Sequence, residues 1–382
     1  MNFTPFFVIS IDKKDIMCYG VTKENVRKKE LFVMEKLRIG VVGAGNISAY
    51  AHLPAYKKCK NVVPVALCDI DFERAKRVAE ENGITEVYAS IEEMLEKSDI
   101  QAVDICTWNN AHAPCLIAAA NAGKHVICEK PLAMNLDDAL RMEKAVKENN
   151  VIFHLAVPSR FGYENMYLRD LLDRGELGDV YYAKTSNVRR RGTPLGWFTD
   201  KKTSGGGPII DIGVHRIDAA WYLMGNPKPV RVSANVYNPH GDYKTKGVVR
   251  WHGKACPDNQ FDCEDSGAGV IHFENGATMV FEASWAMNAP DKSETLIVGT
   301  KAGATVEPLV IYGERNDYLS DDKITVSQNN DKMQLQLEHF AECVLNNNHN
   351  TNYPIDQAVD MQRILQAIYD SAESGKEVVI GE

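Results

Sequence analysis

The chain has 382 residues, 45% of them hydrophobic, and a formal net charge of −9 at pH 7. That length supports a large core and, by default, two domains. The acidic balance, with no dense basic patch, excludes nucleic acid as the main partner. No apolar run reaches the roughly 18 residues of a membrane-spanning helix. Phe6-Phe7-Val8-Ile9 is too short, and lacks the preceding basic region, to read as a signal peptide. The nine cysteines are odd in number and scattered without a paired framework, which suits reduced thiols in a cytosol. Cys256 and Cys263 lie near His252, but their spacing fits no compact zinc pattern and no metal is expected.

Residues 1–33 read as an extension outside the main fold. Met34-Glu35-Lys36-Leu37 would make an ordinary protein start, so the extension is either an upstream over-call of the start site or a poorly packed arm. Leu37–Val42 is an apolar run, read as a buried parallel strand. Gly43-Ala44-Gly45-Asn46-Ile47-Ser48 follows, then a helical stretch to about residue 60. Strand, glycine turn and helix together form a dinucleotide-binding element: the first glycine permits the turn, the second lets a pyrophosphate approach, and the helix N-terminus faces the phosphates. Val62–Cys68 reads as the second strand. Asp69, 26 residues after Gly43, would accept hydrogen bonds from the adenosine ribose and repel a 2′-phosphate. The sequence therefore leans to NAD, while Arg74 nearby keeps NADP open.

Helices are expected at 72–82, 111–122 and 136–149, and strands at 102–106, 124–128 and 151–157. That alternation implies right-handed crossovers and a parallel sheet, with ligands at the carboxyl ends of its strands. The candidate cofactor-binding residues at those ends are Gly43, Gly45, Asn46 and Ile47, then Asp69, then Thr107, Asn109 and His112, then Glu129 and Lys130.

From residue 158 the pattern changes. A helix at 163–174 precedes a strand at 180–188 and a loop at 189–202 that carries Arg190, Trp197 and Phe198. Arg190, Trp197 and Phe198 are candidates to line a sugar pocket. Arg160 and Arg189–Arg191 leave a carboxylate-bearing substrate conceivable. The stretch 204–218 reads Ser-Gly-Gly-Gly-Pro-Ile-Ile-Asp-Ile-Gly-Val-His-Arg-Ile-Asp. Its glycines let the backbone approach a neighbour closely. If the run after Pro208 is helical, Asp211, His215 and Asp218 share one face, where a carboxylate can orient an imidazole for proton abstraction. The bland alternative is a glycine loop entering a helix with a satisfied histidine. Further strands are expected at 270–273, 278–285, 294–298 and 323–327, with a hairpin turn at 274–277. Helices at 333–345 and 355–374 close the chain.

With these residues assembled, the chain resembles the Gfo/Idh/MocA oxidoreductase family from about Glu35 onward. The resemblance rests on Glu129-Lys130-Pro131, on Asp211-x-Gly213-x-His215, and on the closing Ala367-Ile368-Tyr369-x-Ser371-x-x-Ser374-Gly375-Lys376. It implies an α/β protein: an N-terminal Rossmann NAD(P)-binding domain at 34–157, and a C-terminal α+β domain at 158–382 with a large, mostly antiparallel open sheet. It implies that Lys130 lies beside the nicotinamide and the substrate hydroxyl, and that Asp211 and His215 act together at that hydroxyl. Two positions depart from the family pattern: Ser48 replaces the third glycine or alanine, and Thr107-Trp108-Asn109 replaces Thr-Pro-Asn. The implied activity is hydride transfer between NAD(P) and a secondary hydroxyl of a sugar, glycoside or cyclitol, in a homo-oligomer. The alternatives are an NAD-dependent glycosidase working by transient oxidation and elimination, an enzyme with bound cofactor that oxidises one sugar and reduces another, and a non-catalytic NAD-binding regulator.

Overall fold

The computed structural model of the chain describes residues 36–241, 243–248 and 261–381. The extension expected at 1–33, together with His252 and Cys256, lies outside them. The first strand, β1 (Leu37–Val42), is buried on both faces, so its apolar residues run on without alternation. It sits inside a six-stranded parallel sheet with β2 (Val62–Cys68), β3 (Glu86–Tyr88), β4 (Ala102–Ile105), β5 (His125–Glu129) and β6 (Phe153–Ala156), in the order β3-β2-β1-β4-β5-β6. The order reverses between β1 and β4, which opens a crevice at their carboxyl ends.

A π-helical turn, Ser48–His52, leads into α1 (Leu53–Tyr56). The later crossovers are α2 (Phe72–Asn82), α3 (Ile91–Lys97), α4 (Asn109–Asn121) and α5 (Leu136–Glu148). Side chains cap three of them: Asp71, Ser90 and Asn135 accept from the backbone N–H of Arg74, Glu93 and Asp138, each supplying an acceptor for an otherwise orphaned donor. β3 and α3 were not among the expected elements. β3 is three half-buried residues and α3 two turns, both too short to set up a period, although Ser90 marked the helix start.

After α6 (Tyr163–Asp173) comes a nine-stranded sheet. Its strands are β7 (Val180–Val188), β8 (Pro229–Tyr237), β9 (Ser266–Phe273), β10 (Thr278–Ser284), β11 (Lys292–Gly299), β12 (Gly303–Thr305), β13 (Val310–Arg315), β14 (Tyr318–Lys323) and β15 (Val378–Val379). They lie in the order β14-β13-β12-β11-β7-β10-β9-β8-β15. Every pairing is antiparallel except β7 with β10. The expected hairpin joins β9 to β10, with Gly276 at φ 83°. The strand expected at 323–327 is not one: β14 ends at Lys323, and Ile324 and Val326 turn their side chains onto the core. The ladder uses the polar run Tyr318–Lys323 instead, joined to β13 by Asn316 and Asp317 at φ 51° and 66°, a two-residue turn that matches strand twist.

Between the sheets run α7 (Lys201–Ser204), a π-helical turn Ile209–Gly213, and α8 (Val214–Leu223). The chain then crosses back. α9 (Lys332–Leu345) places Leu337, Phe340 and Ala341 in the same apolar cluster as Leu37, Ile39 and Val41 of β1. α10 (Ile355–Ser374) packs against both β8 and α5. The seven described cysteines are all unpaired and buried, and no described helix is long and apolar enough to cross a membrane.

Asp218 does not share a working face with Asp211 and His215. It is fully buried and bound in two places by Arg160, Nε to Oδ2 at 3.1 Å and Nη2 to Oδ1 at 2.7 Å. Arg160 Nη1 also donates to Asn352 O and Gln357 Oε1, and the guanidinium lies 3.5 Å from the Tyr353 ring centroid. Arg160 is thus a strut, not a substrate ligand. Stripping one partner from a buried pair strands a charge, at a cost of about 3–5 kcal/mol. Arg160→Met should therefore lower unfolding stability by about that amount in urea titrations, and Arg160→Met/Asp218→Leu should recover most of it; a single variant as stable as the parent would contradict this role.

Candidate active site

The glycine turn after β1 uses its two glycines differently. Gly43 sits at φ 101°, and a Cβ there would meet the Cys106 carbonyl oxygen at 2.7 Å, so the turn packs against the end of β4. A Cβ on Gly45 would meet nothing within 4 Å: it faces open cleft, the room a pyrophosphate needs. Ser48 Oγ donates to Gly45 O at 2.9 Å, and the residue that replaces the third glycine is fully buried. Asp69 ties the turn to the end of β2. Its Oδ2 accepts from Ala44 N at 2.7 Å, its Oδ1 from Asp71 N at 2.8 Å, and Arg74 Nη2 reaches both oxygens at 2.7 and 2.9 Å.

Gly43, Gly45, Asp69 and Arg74 line a cleft of about 940 Å³. Of the residues singled out from the sequence, Gly43, Gly45, Asn46, Ile47, Asp69, Thr107, Asn109, Glu129, Lys130, Trp197 and Asp211 line it. His112 does not. It is fully buried, with Nδ1 2.8 Å from Pro131 O and Nε2 3.3 Å from Thr107 O. Burial lowers its pKa, against the two carbonyl acceptors, and the ring braces two loops that themselves reach the cleft. Asn109 is also partly a brace: its side-chain amide donates to Ser204 O at 2.7 Å, joining the start of α4 to the glycine loop. Arg190 lies outside the lining. Its side chain is exposed and its backbone N–H is held by Asp291 at 2.6 Å.

The glycine loop approaches its neighbours as closely as the sequence implied. A Cβ on Gly206 would run into the Tyr369 hydroxyl, and one on Gly207 into the Glu264 carbonyl. The buried Glu264 carboxylate accepts from Gly207 N at 2.9 Å, Ile209 N at 3.4 Å and Tyr369 Oη at 2.9 Å. Burial pushes its pKa up, against these hydrogen bonds. So braced, the loop feeds the π-helical turn that carries Asp211.

Lys130 emerges just past β5 and crosses to that turn. Its Nζ donates to Asp211 O at 2.8 Å and lies 3.4 Å from Asp211 Oδ1. The second Asp211 oxygen accepts from Trp285 Nε1 at 3.1 Å. The expected Asp211–His215 hydrogen bond is absent. A π-helical turn runs through residues 209–213, so the α-helical spacing that would stack positions 211 and 215 does not apply, and the carboxylate is taken by Lys130 and Trp285. His215 is half-buried and outside the cleft lining. Its pKa is driven well below 6.5 by burial first, then by the charges of Lys130, Arg216 and Arg189. It is a neutral imidazole that feels the Lys130 charge, able to accept a proton.

One wall is aromatic. Trp197 stacks on Trp108 with ring centroids 5.6 Å apart and planes at 14°, and Phe198 follows at 4.0 Å. Trp108 occupies the position where the family pattern has proline, so the departure puts an indole on the cleft wall. Sequence reasoning missed a buried group that meets the cleft at Glu129: His52, Asp104 and Tyr56. The signal was available, because Asp104 falls inside the apolar strand Ala-Val-Asp-Ile, and a buried carboxylate requires partners.

Both halves of the chain match known proteins. Residues 37–157 match a family model described as an oxidoreductase family with an NAD-binding Rossmann fold, and residues 166–305 match one described as the GFO/IDH/MocA C-terminal domain. D-glucoside 3-dehydrogenase of Escherichia coli K12 is 32% identical over 359 residues, covering 92% of this chain and 99% of that protein. An oxidoreductase domain protein from Kribbella flavida has the same fold, with a TM-score of 0.80 at 24% identity over 91% of this chain and all of the other. A levoglucosan dehydrogenase in complex with NADH and levoglucosan superposes with a TM-score of 0.78 at 23% identity over 91% of this chain and 100% of its own. The chain belongs to the Gfo/Idh/MocA family of NAD-binding oxidoreductases.

Proposed function

We propose that the protein is an NAD-dependent dehydrogenase that oxidises a secondary ring hydroxyl of a glucoside or a closely related sugar. The observation that carries this reading is the Lys130 ammonium held at the cleft by Asp211 beside a neutral His215. The relative that spans 92% of the chain is a glucoside dehydrogenase, and the Trp108–Trp197 wall offers a face on which the apolar side of a sugar ring can stack.

Bound NAD supplies the hydride-accepting chemistry, and the chain supplies position and field. Gly43, Gly45, Asn46 and Ile47 would hold the pyrophosphate side, Asp69 the adenosine ribose, and Thr107, Asn109, Glu129 and Lys130 the reacting end. Lys130 donates a hydrogen bond to the substrate oxygen as negative charge grows on it. His215 takes the hydroxyl proton. Asp211 keeps Lys130 in place, a different part from the orientation of His215 expected of it. A homo-oligomer belongs to the same proposal, with a second copy on the nine-stranded sheet, where Tyr181 and Tyr237 are half exposed.

Four results test this. A screen of alkyl and aryl glucosides, anhydrosugars and inositols with NAD should give net absorbance at 340 nm; free sugar or aglycone without net NADH would mark the oxidation–elimination glycosidase instead. Lys130→Ala and His215→Ala should each lower kcat by at least about 10²-fold, the usual worth of a placed proton-transfer group, while both variants remain folded by circular dichroism. Near-parental turnover in both would remove the assignment. For pH, His215 must be neutral to accept the proton, and its pKa is lowered, so kcat/KM for oxidation should hold level as pH falls through 6.5 and decline only well below it. Half-loss at 6.5 would indicate an unperturbed imidazole. For the cofactor, Asp69→Ser removes the carboxylate that repels a 2′-phosphate and releases Arg74. It should raise the NADP-to-NAD ratio of kcat/KM by at least about tenfold, the equivalent of about 1.4 kcal/mol.

A further inference from the structure

His52 is fully buried, with Nδ1 2.7 Å from Asp104 Oδ2 and Nε2 2.9 Å from Glu129 Oε1. Carboxylates only accept, so a ring between two of them must donate from both nitrogens, and only the imidazolium does that. The other polar groups facing this ring point the same way. The Tyr56 hydroxyl donates to Asp104 Oδ2 at 2.9 Å, and the Cys106 thiol to Asp104 Oδ1 at 3.4 Å. Among the described residues, no lysine or arginine forms an ion pair with Asp104 or Glu129; His52 is their cation. Burial alone would lower the pKa of this ring, yet the carboxylate of Asp104 lifts it well above 6.5.

Glu129 is the link to the reaction. It ends β5, lines the cleft, and immediately precedes Lys130. A buried carboxylate at that point needs a positive partner, and the nearest alternative in the chain is the Lys130 ammonium. In the structure Lys130 goes to Asp211 instead.

We propose that His52, clamped between Asp104 and Glu129, is a positioning residue: it holds the Glu129 carboxylate against the cleft wall and so leaves Lys130 to Asp211 and to the reacting oxygen. The proposal rests on the dehydrogenase reading above for its kinetic part. Its structural part stands on the free protein.

The test uses the full-length chain labelled with 15N-histidine. Side-chain NMR of the protein without cofactor should show one ring, assigned by His52→Gln, with both nitrogens protonated at pH 8. In Asp104→Asn, which keeps the shape and removes one carboxylate, that ring should become neutral at the same pH. Asp104→Asn should then lower kcat by about 10- to 100-fold, the scale of a small misplacement of reacting groups, with KM for the sugar within about threefold. A neutral His52 ring in the parent at pH 7 overturns the proposal, whether or not a sugar is found. So does an Asp104→Asn protein that melts at lower temperature but turns over at the parental rate, since that marks His52 as purely structural. If the parent oxidises no sugar, the dehydrogenase reading fails, and the NMR result decides the state of His52 alone.

Discussion

The Lys130–Asp211 contact is the constraint on which the site depends. A lysine at the carboxyl end of a parallel strand has, by itself, no reason to stay in a crevice; water solvates it well. Here the ammonium is drawn across by a backbone carbonyl at 2.8 Å and a carboxylate at 3.4 Å, both from the turn that precedes α8. The two halves therefore meet at a polar junction in the cleft, beside the Asn109–Ser204 link. The π geometry of that turn is part of the device, because such turns interrupt regular helical bonding and are common at functional sites. Trp285 fixes the far oxygen of Asp211, so the carboxylate is held toward Lys130 and Trp285 and makes no hydrogen bond to His215.

Much of this architecture was legible before the structure. Leu37–Val42, Val62–Cys68 and Phe72–Asn82 have the observed bounds because unbroken apolar runs, an amphipathic helix and its glycine stop leave no competing reading. Most of the nucleotide-side cleft lining was legible, since a glycine turn between a buried strand and a helix fixes what must follow, but His112 turns to two backbone carbonyls instead of the cleft. The edge of the second sheet was not. Tyr318–Lys323 carries Ser, two Asp and Lys, residues that say little about a strand, while the β-branched Ile324-Thr325-Val326 beside it imitates one. The helical face through Asp211, His215 and Asp218 was also misjudged. Spacing arguments assume α geometry, and they cannot see that Arg160, far away in sequence, claims Asp218.

Two buried ionic groups divide the work. Arg160 with Asp218 joins the start of the second half to α8 and to the segment before α10. His52 with Asp104 and Glu129 lies under the parallel sheet's crevice. Burying charge is expensive, and an apolar replacement often costs nothing in stability. What an apolar core cannot do is aim a side chain at a cleft. The second group reaches the cleft through Glu129 itself, and the first holds the helix that follows Asp211, where orientation matters more than net stability.

The glycine loop draws its support from an unexpected quarter. Gly206 packs on Tyr369 and Gly207 on Glu264, which the Tyr369 hydroxyl in turn holds; Leu155 of β6 likewise donates its backbone N–H to Tyr353 O. During synthesis the strands of the nucleotide sheet leave the ribosome early, but the scaffold for the second wall emerges only with α10, near the end of the chain. The loop that leads to Asp211 therefore gains its Tyr369 brace, and the core around β1 its α9 face, only once the end of the chain has been made.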